Sequence, residues 1–175
     1  MREILRKYPK CEFGRELFPG NPIPILRVSG GKTTADVADW GYLTQKGKRV
    51  YNARSETLLE KPLFGKDFVQ NRCVIPVTGF CEWDGDGTGW DFLPQEEEML
   101  YLAGFCRKKT EGWEATVVTE HASGCVGEIH HRTPLILSGE NLRQWLYDEA
   151  LARQFLEEAK ERVLLKRKKM EGETL

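Results

Sequence analysis

Three short stretches of this chain concentrate side chains able to move protons, grip phosphate or hydrogen-bond a reacting centre. The first is Tyr51-Asn52-Ala53-Arg54-Ser55-Glu56-Thr57, which sets an amide, a guanidinium, a hydroxyl and a carboxylate side by side directly after a basic turn. A core strand does not tolerate that density, because buried polar groups without partners are costly. A helix start capped by Ser55 or Asn52 explains half of it but leaves Arg54 over, whose planar fork suits phosphate. The second stretch is Arg72-Cys73-Val74-Ile75-Pro76-Val77-Thr78-Gly79-Phe80-Cys81-Glu82-Trp83. Here an apolar strand ends at Gly79, and Glu82 follows between a thiol and an indole. A carboxylate walled in that way has a raised pKa, which suits a general acid or base near neutral pH. An edge-strand glutamate facing solvent is the competing reading.

The third stretch, Glu128-Ile129-His130-His131-Arg132-Thr133-Pro134-Leu135-Ile136-Leu137, holds two of the three histidines. Adjacent histidines on an extended segment face opposite ways and do not share a metal. No His-Glu-x-x-His motif and no cysteine at ligand spacing supports a zinc site, so no metal is expected. His130 or His131 as a proton shuttle is the functional reading, and a hydrogen-bonded structural histidine is the alternative.

Short β-branched or aromatic runs must position these stretches. Residues 23–28, 37–43, 73–77, 100–106, 115–119 and 135–137 read as strands bounded by Gly, Pro or charged turns. Residues 30–32, 46–48 and 84–87 read as turns or loops. Ile4, Leu5 and Tyr8 suggest a short first helix. Ser138 looks like the N-cap of a helix over 140–149 with Leu142, Trp145 and Leu146 on one face. A further amphipathic helix is expected over about 150–169, burying Leu151, Phe155, Ala159 and Val163, with Lys166-Arg167-Lys168-Lys169 opposing its dipole at the C-terminal end. The expected class is α+β: a mostly antiparallel, barrel-like sheet with short flanking and C-terminal helices, in a single domain over 1–175.

Composition narrows the field. The 175 residues are 40% hydrophobic and 30% charged, which excludes a disordered or fibrous chain. No run approaches the ~20 apolar residues of a membrane span, and the charged start is unlike a secretory signal. A cytosolic protein is expected. Five cysteines, odd in number and widely spaced, indicate neither a disulfide framework nor a zinc ribbon; Cys73, Cys81 and Cys106 read as reduced core thiols. The net charge is −1, yet residues 1–83 hold 14 basic and 9 acidic side chains, while 84–98 holds six acids and no base. That asymmetry fits one phosphate-facing side, or simply a solvated acidic loop.

Taken together, the motifs resemble one family. Asn-Ala-Arg-Ser-Glu-Thr at 52–57, Arg-Cys-Val-Ile-Pro followed by Gly-Phe-Cys-Glu-Trp over 72–83, and Ile-His-His-Arg-Thr-Pro-Leu-Ile-Leu at 129–137 look like the SRAP domain, the SOS response-associated peptidase family. Phe18-Pro19-Gly20 and Trp40-Gly41 stand in the order that family shows upstream, so the resemblance runs from about Phe18 to Trp145. It implies a protein that binds single-stranded DNA and crosslinks abasic sites through an N-terminal cysteine. In that chemistry an α-amine condenses with the open sugar's aldehyde and the neighbouring thiol closes a thiazolidine. By position, Asn52 hydrogen-bonds the reacting centre, Glu82 moves protons at the imine stage and His130 assists sugar ring opening. Arg54 and Arg132 hold phosphates, and Trp40 and Trp83 offer stacking surfaces. No cofactor, metal or membrane is implied; a monomer, cytoplasmic and nucleoid-associated when bound to DNA, is expected. His131 falls where the family varies and takes no role, and Cys81, where Tyr or Phe is common, reads as a packing change.

One departure matters. Position 2 is Arg2, and the family's Met-Cys-Gly-Arg start is not present. Cys11 is no substitute, because exposing it requires removing ten residues. The expectation is that an N-terminal segment precedes Met1 in the native protein. The alternative is a non-catalytic module that binds single-stranded or abasic DNA without capturing it. A peptidase acting on other proteins rests on the family name alone, since no Ser-His-Asp set or metal motif is present.

Overall fold

Alternating apolar residues make strands wherever one face can be buried, and strands build most of this molecule. The computed structural model describes residues 16–96, 98–157 and 164–169. The expected first helix around Ile4, Leu5 and Tyr8, together with Cys11, lies outside the described residues. In chain order the strands are β1 (Pro22–Ser29), β2 (Lys32–Trp40), β3 (Tyr42–Leu43), β4 (Arg49–Val50), β5 (Asn52–Arg54), β6 (Arg72–Val77), β7 (Phe80–Trp83), β8 (Gly89–Pro94), β9 (Leu100–Lys108), β10 (Trp113–His121), β11 (Arg132–Pro134), β12 (Ile136–Leu137) and β13 (Leu164–Lys168). The helices are α1 (Gly65–Gln70), α2 (Gly124–Gly127), α3 (Gly139–Tyr147) and α4 (Glu149–Glu157), with a 3-10 turn at Leu58–Glu60.

Strand pairing closes a ring. β1 runs antiparallel to β2 and to β6, β6 to β9, and β9 to β10. β10 then returns to β2 through parallel pairs Glu114↔Asp39 and Ala115↔Trp40. β5 adds parallel to β10, β11 antiparallel to β10, and β12 antiparallel to β9. The architecture is the α+β, mostly antiparallel, barrel-like one that the sequence implies. Separately, β7, β8 and β13 form a small antiparallel sheet with β7 at its edge. Two glycines permit close approaches. A Cβ on Gly104 meets Thr116 O at 2.8 Å, and Gly41, at φ +113°, lies against the Tyr51 ring.

The apolar side chains divide into two clusters. One joins the strands to the helices through Val74, Phe105 and Val118 against Phe64, Phe68 and Trp145. Its rings meet edge to face, Phe68 and Trp145 at 5.8 Å, a geometry aromatic quadrupoles favour. Trp145 Nε1–H donates to Cys73 O at 2.9 Å, so its burial leaves no polar atom unpaired. The other cluster gathers Ile23, Ile25, Ile75, Leu102 and Val117 with the buried thiols Cys73 and Cys106. Ser138 precedes α3 as expected, although its hydroxyl makes no capping bond; Trp145 and Leu146 are buried.

Two sequence expectations are corrected. The helix expected over about 150–169 is α4, Glu149–Glu157, and Leu164–Lys168 is instead strand β13 on the outer edge of β8. Its basic run therefore opposes no helix dipole. Lys166 pairs with Glu128, Lys169 with Glu16, and Arg167 Nη2 lies 3.4 Å from Asp91 Oδ2. The acidic stretch 84–98 is not simply a solvated loop, because it contains β8, and Asp91 is 2% exposed. A buried carboxylate demands cations, and β13 supplies one. Among the described residues no helix is long and apolar enough to cross a membrane.

Candidate functional site

The ring, the small β7–β8–β13 sheet and the segment before β11 enclose a cleft of about 830 Å³. Ile23, Pro24, Ile75, Val77, Phe80 and Leu102 give it apolar walls. Each chemically active stretch contributes its polar side chains to the same space.

The first stretch is strand, not helix start: Asn52 and Arg54 pair in the parallel ladder with Val117 and Thr119 of β10. Successive strand residues face opposite ways. Ala53, 1% exposed, therefore packs into the core, and Asn52 and Arg54 are exposed and line the cleft. Arg54 has no ion-pair partner among the described residues.

β7 delivers Glu82. Its partner across the strand pair is Trp90, not either of its chain neighbours, and strand alternation turns Cys81 and Trp83 to the opposite face. Cys81, Glu82 and Trp83 nonetheless all line the cleft. Burial pushes the Glu82 carboxyl above the usual range, and the charge of His130 partly offsets that rise. Burial also raises the Cys81 thiol, which makes it a poor nucleophile. Trp83 is 49% exposed, and Lys169 Nζ sits 5.8 Å from its ring centroid. Trp40, half-buried at the end of β2, donates from Nε1 to Tyr51 O at 3.1 Å, packs against the second apolar cluster and lines the cleft.

His130 and His131 follow α2 in a turn rather than on the expected extended segment, with His130 N–H donating to Val126 O at 2.9 Å. Their rings therefore do not face opposite ways; the centroids are 4.5 Å apart at 50°. No group of three metal-ligating side chains occurs among the described residues. His130 Nδ1 lies 3.6 Å from Glu82 Oε2. It is also 3.0 Å from Arg132 O and 3.2 Å from the Arg132 N–H, which donates to it when the nitrogen is bare.

Arg132 lines the cleft but already has protein partners. Its two terminal nitrogens donate to Glu56 at 2.6 and 3.0 Å, and Nη2 also donates to Thr119 O at 2.6 Å. Those bonds hold the Glu56 carboxyl below the usual range. Asn52, Glu82, His130, Arg54, Arg132, Trp40 and Trp83 all line the one cleft. Sequence reasoning missed Glu56 as a partner of the site and Phe18 as part of its rim, where the ring is 53% exposed. No local signal marks Glu56, since its partner Arg132 lies 76 positions away.

With this geometry in view, known proteins offer comparison. A family model described as SOS response associated peptidase (SRAP) matches residues 7–171. The abasic site processing protein YoqW of Bacillus subtilis is 32% identical over 119 residues, covering 63% of this chain and 53% of that protein. The abasic site processing protein HMCES of Gallus gallus is 34% identical over 124 residues, covering 54% of this chain and 37% of that one. The chain thus spans about half the length of the first curated relatives it matches. A crystal structure of a Bordetella bronchiseptica protein superposes with a TM-score of 0.80 over 95% of this chain and 94% of that chain, at 21% identity. That last likeness speaks to the fold.

Proposed function

The chain belongs to the SOS response associated peptidase (SRAP) family, and from that premise we propose that it binds single-stranded DNA and acts on abasic sites within it. The observation that carries this reading is the convergence of Asn52, Glu82 and His130, from three distant stretches, on one partly apolar cleft. The curated relatives named as abasic site processing proteins support it.

The chemistry follows from the groups. An abasic sugar is a cyclic hemiacetal in equilibrium with a free aldehyde. His130 assists opening by accepting the C1′ hydroxyl proton as the C1′–O4′ bond breaks, and O4′ takes a proton from water to become the C4′ hydroxyl. An attacking amine adds to the aldehyde, and the resulting hydroxyl leaves as water once protonated. Glu82, whose buried carboxyl keeps its proton to higher pH than an ordinary glutamate, supplies that proton. Asn52 hydrogen-bonds the reacting centre from β5. Arg54 takes a backbone phosphate, while the exposed faces of Trp40 and Trp83 stack on bases beside the gap.

A stable product requires a thiol on the same residue as the α-amine. The thiol sulfur adds to the imine carbon, its proton passes to the nitrogen, and a five-membered thiazolidine closes. The α-amine's ordinary pKa of ~8 leaves a neutral fraction at cellular pH. With Arg2 at position 2, the 175-residue chain itself is expected to give no thiazolidine, and a protein carrying a Met-Cys start is expected to give one.

The test uses a single-stranded oligonucleotide bearing one abasic site, beside its intact twin. Fluorescence anisotropy should show the 175-residue chain favouring the abasic strand. Denaturing gels should show a heat-stable adduct only with the Met-Cys form. Equal binding of both strands, with no adduct from the Met-Cys form, leaves a plain single-strand binder; no binding at all removes DNA from the account.

A further inference from the structure

Glu56 is absent from the cleft's lining, yet it ties together two of the stretches that build it. Two residues beyond Arg54, its carboxylate accepts from both terminal nitrogens of Arg132. Arg132 is 9% exposed, and its Nη2 is further held by Thr119 O. Paired bonds to a planar guanidinium fix its orientation as well as its position. A buried guanidinium stripped of its carboxylate cannot stay where it is without a large penalty, so losing Glu56 must displace Arg132 and the start of β11 with it.

The main chain of that same residue receives His130. Nδ1 has the Arg132 carbonyl at 3.0 Å and the Arg132 amide at 3.2 Å. A protonated Nδ1 donates to the carbonyl, and a bare Nδ1 accepts from the amide. One residue's backbone therefore partners both forms, and the ring can gain or lose a proton at Nδ1 without turning. The charged and titratable groups around it are few. Glu82 of β7 stands 3.6 Å from Nδ1, and the His131 ring lies 4.5 Å away. Behind Arg132 are Glu56 and His121, whose Nε2 is 3.3 Å from Glu56. Glu128, two residues earlier, is paired with Lys166 of β13.

We propose that Glu56 is a positioning residue: by gripping the Arg132 side chain it holds the Arg132 main chain where His130 Nδ1 meets both a donor and an acceptor. This deepens the proposed function and rests on its assignment of proton transfer to His130. The grip is kept at a cost, because Arg132 Nε is buried without a hydrogen-bond partner. The guanidinium is thus held for its place and not for full hydrogen bonding.

The test reads the imidazole directly and needs no DNA, so its outcome is separate from that of the binding experiment. At acid pH, where both ring nitrogens carry protons, the His130 Hδ1 resonance is observable by proton NMR when it is hydrogen-bonded, and its loss in His130→Asn identifies it. In the wild-type chain it should be visible and slow to exchange. Glu56→Asp, which keeps the carboxylate, should retain it. Glu56→Gln should exchange it at least tenfold faster or broaden it away. If Glu56→Gln does not fold, Arg132→Lys serves the same purpose, since a single ammonium cannot be gripped at two points. An Hδ1 that exchanges as slowly in Glu56→Gln or Arg132→Lys as in the wild type overturns the proposal.

Discussion

Two glutamates, one inside the cleft and one beside it, are pushed in opposite directions, and each leaves its own mark on stability. Glu82 is raised by burial. The unfolded chain ionises this group first, near pH ~4.3, so its contribution to stability falls as pH rises from there through the higher folded value. Glu56 is lowered by Arg132; what it contributes is present above the unfolded value and is lost as pH falls through the lower folded one. Glu82→Gln removes a charge that burial penalises. It is expected to raise Tm at neutral pH by about 2–4 °C, the shift that about 1 kcal/mol produces in a chain of this size. That gain should vanish in acid, and calorimetry at several pH values checks both halves. At this scale residue type marked three stretches and left each with a structural alternative; Asn52, Glu82 and His130 were singled out by the family resemblance, and all three line one cleft. Glu56 did not stand out, because its partner Arg132 is 76 positions away and a long-range pair leaves no local trace.

Secondary structure was readable wherever burial imposed its period. The apolar runs over 23–28, 73–77 and 100–106 became β1, β6 and β9 because each buries at least one face. The failure at residues 164–168 has a physical reason. In Leu-Leu-Lys-Arg-Lys only Leu164 packs against the core, and Leu165 is 48% exposed, so neither a helical nor a strand period is written into the apolar residues. The register makes the assignment testable. Lys169 N–H donates to Gly89 O, and antiparallel alternation then directs the N–H groups of Arg167 and Leu165 at β8 while that of Lys166 points away. Leu165→Pro should therefore lower Tm and speed hydrogen exchange of the β8 amides, and Lys166→Pro should do far less. A helix would suffer from both about equally.

At the scale of the whole molecule, β2, β1 and β6 from the basic part of the sequence are neighbours in the ring, and β9 and β10 from the acidic part close it. With a net charge of −1, long-range attraction to a polyanion is weak, and the DNA binding proposed above rests on local contacts. Arg54→Ala is expected to weaken binding to abasic and intact single strands alike. It should also flatten the dependence of log K on log salt by about 0.7, the share of one phosphate on a single strand; anisotropy titrations at stepped salt measure this. The barrel-like class could be read from many short strands, but its closure could not. β10 meets β2 across more than seventy residues, in parallel, and only the folded chain reveals that pairing.

That closure is short, just Glu114↔Asp39 and Ala115↔Trp40 in register. Trp40 thus stands at a two-pair seam of the barrel, as short in register as that between β1 and β6, while it forms part of the cleft wall. Breathing of the molecule should begin there, and any loosening of the seam shifts the cleft wall with it. The suture and the cleft wall are one place.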